Sequence, residues 1–125
     1  MLGTIFAGGL TCGIYLTNAP STVKYICEQA PLDLMVIQNQ KMLNHLLQDQ
    51  PEIKDIVKSF VIMEDQIISN CEHKNVLTWQ EMLQSGKSIK DDILAQREEN
   101  QAVNKACALM YTSGTTGPPK GTNPQ

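Results

Sequence analysis

The chain has 125 residues, 42% of them hydrophobic and 18% charged, with a formal net charge of −3. That length suffices for one domain with a real core if its strands find partners. The balance excludes the disordered class and argues against a polyanion-binding surface, and so against nucleic acid as a partner.

In chain order, the stretch from Met1 to Val23 carries no charge. It lacks a positive leader region, and its Gly, Thr and Asn residues break up the ~18 apolar residues a spanning helix needs, so no transmembrane segment is expected. It reads as a buried segment, an unusual way for an amino terminus to begin. "CGIYLTN" reads as a strand ending at Asn18-Ala19-Pro20. Ser21 is the expected N-cap of a helix over "TVKYICEQA", with Val23, Ile26 and Cys27 on one face and Pro31 blocking continuation. "LDLMVIQN" is a second strand, and "QKMLNHLLQDQ" places Met42, Leu43, Leu46 and Leu47 at helical spacing before Pro51. "VKSFVIM" is a third strand, followed by a polar loop from Glu64 to Lys74. Thr78 is set to cap "WQEMLQSG", which stops at Gly86; "SIKDDILAQREENQ" is a further helix and "ACALMYT" a last strand. This alternation is the grammar of an α/β fold, a parallel sheet with covering helices, whose ligands bind beyond the carboxyl ends of the strands.

Several residues read as structural. Cys12, Cys27, Cys71 and Cys107 are scattered without a C-x-x-C pair, which suits reduced, buried thiols of a cytosolic or cytosol-facing protein better than a zinc site or a nucleophile. His45 on the second helix and His73 in the polar loop have no nearby carboxylate or cysteine pattern that would assign catalysis, and they read as surface residues. Trp79 is expected to pack its short helix onto the core, and the charges of "KDDILAQREEN" to face solvent. No catalytic residue and no metal ligand is assigned.

The chemistry gathers in "CALMYTSGTTGPPKG". Gly114 and Gly117 permit positive φ and close backbone approach, so successive N–H groups can converge on an anion. Thr112, Ser113, Thr115 and Thr116 add hydroxyls that can donate to phosphate oxygens or join a magnesium shell, and Lys120 adds a positive charge. Pro118 and Pro119 restrict the backbone before that lysine. The pattern is not a Walker A loop, because Pro119 stands where that motif requires Gly before its Lys. A Gly/Ser/Thr linker would explain "SGTTG" alone, but not the strand before it with Pro-Pro-Lys after it.

From Tyr111 through Gly121 the stretch resembles the signature phosphate-binding loop of the adenylate-forming superfamily, the acyl-CoA synthetases, luciferases and peptide-synthetase adenylation domains. "FAGGLTCGIYLTNAPSTVKYICEQA", "LTWQEMLQSGKSI" and "NQAVNKACALMYTSGTTG" are similar to the bubblegum-type long-chain acyl-CoA synthetases, with a weaker match from Leu43 to Asn75. The resemblance implies an ATP-dependent ligase. A fatty-acid carboxylate attacks the α-phosphorus of ATP, giving an acyl-adenylate and pyrophosphate, and coenzyme A thiol then displaces AMP. It implies that Thr112, Ser113, Gly114, Thr115, Thr116, Gly117, Pro118, Pro119 and Lys120 hold the β- and γ-phosphates with Mg2+. Residues 1–121 then form part of an AMP-binding domain and residues 122–125 a tail outside the match. The chain is expected to be an internal piece of a longer enzyme, inactive alone, with open sheet edges available for pairing. The alternatives are a non-catalytic nucleotide-binding or protein-interaction remnant, or an adenylating enzyme for another carboxylate. The expected location is cytoplasmic, with peripheral membrane contact left open.

Overall fold

A computed structural model describes residues 1–30, 32–64, 75–102, 104–112 and 120–122, with the backbone alone at 112 and 120–122. The elements are α1 (Leu2–Phe6), β1 (Thr11–Gly13), α2 (Pro20–Gln29), β2 (Leu34–Ile37), α3 (Gln40–Asp49) and α4 (Ile53–Ile56), followed by β3 (Ser59–Ile62), β4 (Val76–Thr78), α5 (Trp79–Gly86), α6 (Asp91–Glu99), β5 (Ala108–Thr112) and β6 (Lys120–Thr122). They fall into two compact units, one of Ala19–Lys87 and one of Met1–Asn18 with Ser88–Gln125. The expected parallel pairing is present, but it is divided between two three-stranded sheets.

In the unit of Ala19–Lys87 the sheet order is β2-β3-β4, all parallel, with Leu34 to Ile37 opposite Ser59 to Ile62 and Phe60 to Ile62 opposite Val76 to Thr78. A parallel step needs a crossover, and α3 with α4 supplies the one from β2 to β3. Burial follows strand position. In central β3, Phe60, Val61 and Ile62 are all buried, as in a strand covered on both faces. In edge strand β2, Met35 is buried while Leu34 and Val36 stay exposed.

The helices of this unit supply the rest of the core. Leu43, Leu46 and Leu47 form the i, i+3, i+4 stripe of α3 and are buried, joined by Ile26 and Cys27 of α2, Ile53 of α4, and Val57. The start of α2 differs from expectation. Ala19 is the N-cap, without a side-chain bond, and Pro20 occupies the first turn, so Ser21 sits inside the helix. Proline suits that position because its φ is already helical and its missing N–H would have had no intrahelical acceptor. Asn39 caps α3 by accepting from the Met42 amide at 3.0 Å. Thr78 caps α5 as the sequence predicts, and Trp79 opens that helix half-buried.

In the other unit the sheet order is β1-β5-β6. β1 runs parallel to β5, with Thr11 opposite Ala108 and Gly13 opposite Met110. The Cys107 carbonyl, just before β5, accepts from both the amide and the hydroxyl of Thr11, at 3.0 and 3.1 Å. A five-residue α1 leaves its last carbonyls without intrahelical partners. Side chains from α6 and its carboxyl end fill that need: the Arg97 guanidinium donates to the Ala7 carbonyl at 2.7 Å, and the Gln101 amide donates to the Ile5 and Phe6 carbonyls at 2.7 and 3.3 Å. Gly8, at φ +77°, then turns the chain through the left-handed region. A Cβ on Gly9 would lie 2.9 Å from the Thr4 methyl and 3.1 Å from its carbonyl oxygen.

The expectation of a buried amino-terminal segment is overturned: Met1, Leu2, Phe6, Leu10, Tyr15 and Leu16 are exposed. The physical reason is lack of cover. β1 has three residues, α6 buries none, and Tyr111 is the buried hydrophobic residue among the described residues of this unit. The first strand also stops at Gly13 instead of running to Asn18, and the chain turns, with the Asn18 amide donating to the Tyr15 carbonyl at 3.1 Å. The cysteine expectation holds for Cys27. Cys12 is half-buried, which pushes its thiol pKa up, and Cys107 is exposed; neither of these two is in a disulfide. Pro31, Cys71 and His73 lie outside the described residues.

Candidate phosphate-binding hairpin

β5 lies at the centre of its sheet, parallel to β1 on one side and antiparallel to β6 on the other. Tyr111 is buried and Met110 exposed, while Ala108 and Leu109 are half-buried. The β5–β6 register sets Met110 opposite Thr122, Tyr111 opposite Gly121 and Thr112 opposite Lys120. Opposite residues in an antiparallel pair have Cα atoms about 5 Å apart. The first and last residues of the sequence-predicted site are thus neighbours across a ladder. This junction stands at the carboxyl end of β5, the end at which ligands meet parallel α/β sheets.

The structure therefore brings together Thr112 and Lys120 by backbone register, while Ser113, Gly114, Thr115, Thr116, Gly117, Pro118 and Pro119 lie outside the described residues. β6 itself was not foreseen. The sequence puts Lys120 at the end of a loop and Thr122 in a tail, whereas both belong to a strand. Only the β-branched Thr122 hinted at this, beside a glycine that disfavours strands.

The donor chemistry of the segment suits an anion. After Glu99 the sequence contains Lys105 and Lys120 and no acidic residue, although the whole chain carries −3. Hydroxyls, main-chain N–H groups and one ammonium make a set of donors to phosphate oxygens with no competing carboxylate. Among the described residues there is no group of three or more His, Cys, Asp or Glu side chains able to hold a metal ion. His45 lies on the exposed face of α3, 3.7 Å from Asp49. Among the described residues, no helix is long and apolar enough to cross a membrane.

The sequence that carries these features matches a known family. Residues 1–123 fit the family of AMP-binding enzymes, and the chain belongs to it. It is 39% identical over 120 residues to the long-chain-fatty-acid–CoA ligase ACSBG2 of Xenopus laevis. It is 34% identical to ACSBG1 of Rattus norvegicus and 33% identical to ACSBG2 of Homo sapiens, proteins of the same description. Each alignment takes 96% of this chain but only 16%, 16% and 18% of the respective relative. The resemblance to bubblegum-type synthetases is borne out over nearly the whole chain.

Proposed function

We propose that the chain supplies the triphosphate-binding part of an ATP-dependent long-chain fatty-acid–CoA ligase, with Thr112 to Lys120 enclosing the β- and γ-phosphates. The observation that carries this reading is the Thr112–Lys120 pairing, which brings the two ends of the donor-rich sequence together at the carboxyl end of β5. In the reaction, a fatty-acid carboxylate attacks the α-phosphorus of ATP, pyrophosphate leaves, and coenzyme A thiol displaces AMP. The Lys120 ammonium, the hydroxyls of Thr112, Ser113, Thr115 and Thr116, and the amides of Gly114 and Gly117 offset charge that grows on the departing pyrophosphate, so they favour the transition state over the bound nucleotide. Mg2+ bound with the nucleotide would neutralise the same oxygens, and these hydroxyls are the groups able to enter its shell.

The test is a titration of the 125-residue chain with magnesium ATP, followed by amide proton–nitrogen spectra. Gly114 and Gly117 signals should move saturably. Lys120→Ala should weaken binding about tenfold or more, the equivalent of one charge-assisted hydrogen bond of ~1.5–3 kcal/mol. A dispersed spectrum indifferent to ATP would sink the proposal. No acyl-CoA should form from ATP, oleate and coenzyme A with this chain alone.

A second reading, pairing with another polypeptide, is favoured by β2, which among the described residues has a strand on one side only and exposes Leu34 and Val36. Sedimentation across concentration distinguishes it: self-association lost in Val36→Lys supports edge pairing, and a monomer at every concentration removes pairing with itself. Cytoplasmic location, with peripheral membrane contact as the alternative, belongs to the ligase reading and is measured by fractionation.

A further inference from the structure

We draw no further inference here: the strongest candidate, the open cleft of about 250 Å³ that Ile5, Gly8, Arg97, Gln101, Lys105 and Cys107 line beside the α1 turn, has both its cations already donating to the carbonyls of Ala7 and Asn100, and nothing in the structure shows what covers it.

Discussion

At the first turn of α5, one carboxylate oxygen of Glu81 accepts from both the amide and the hydroxyl of Thr78, at 2.7 and 2.9 Å, while the Thr78 hydroxyl oxygen accepts from the Glu81 amide at 3.1 Å. The reciprocal bonds satisfy donors that a helix start leaves open. Thr78→Ala removes one side of the box and should lower stability by about 1 kcal/mol, read as a shift in urea midpoint at constant slope. The carboxylate adds a pH dependence of known sign. Bonds from the Thr78 amide and hydroxyl hold Glu81 below the ordinary glutamate value of 4.5. Glu52, at the start of α4, is lowered as well, first by its own amide and then by the Lys24 ammonium 3.1 Å away. A depressed folded pKa means that the unfolded chain takes up protons first as pH falls. The contribution of both groups is therefore complete above 4.5 and is lost as pH drops through their folded values. Glu81→Gln and Glu52→Gln remove both titrations, so the double variant should flatten the acid limb of the stability curve by losing stability at neutral pH while matching the parent chain in acid. An unchanged acid limb would show that other carboxylates dominate it.

Among the elements, α3 shows most clearly how pattern becomes energy. Leu43 is 0% exposed, and its truncation to Ala leaves a cavity in the core of this unit, a change that costs about 2–5 kcal/mol. Asn44 is exposed on the same helix, so Asn44→Ala should stay within about 0.5 kcal/mol. Chemical denaturation of the two variants separates them, and equal losses would mean that Leu43 is not in the core. α3 and α5 were legible in the sequence because their signals are local: an apolar stripe at helical spacing, and a cap at Thr78. α1, α4, β4 and β6 were not, because each is five residues or shorter and is set by distant partners. α1 is completed by an Arg97 bond spanning 90 residues, and β6 exists through its register against β5. The site divides the same way. Its donors were readable from composition around Gly114 and Gly117, but the hairpin that joins Thr112 to Lys120 is a pairing, and no propensity at Lys120, Gly121 or Thr122 announces it.

For the whole molecule, the two units differ in how they are held. Among the described residues, nearly all buried hydrophobic ones, from Val23 and Ile26 through Phe60, Val61 and Ile62, belong to Ala19–Lys87, whereas Tyr111 is the member of the other unit. The first is also continuous in sequence; the second is assembled from the two ends of the chain. Cooperative stability follows buried apolar contact, and segments without it open at low free energy. Small units bury only about 60% of the surface that their chains expose, so the margin is narrow even for the better-packed one. The expected outcome is that a polypeptide of residues 19–87 folds alone, giving dispersed amide signals and slow hydrogen exchange at Ile26, Leu43, Val61 and Ile62. In the full chain, exchange at Thr4, Ala7 and Gly8 should be fast by comparison, since their bonds to Met1, Gly3 and Ile5 lie among exposed neighbours. Slow exchange throughout the full chain, together with a collapsed spectrum for residues 19–87, would mean that stability is shared across the whole polypeptide. The phosphate-loop hairpin would then depend on the entire chain and not on the β1-β5-β6 sheet that carries it.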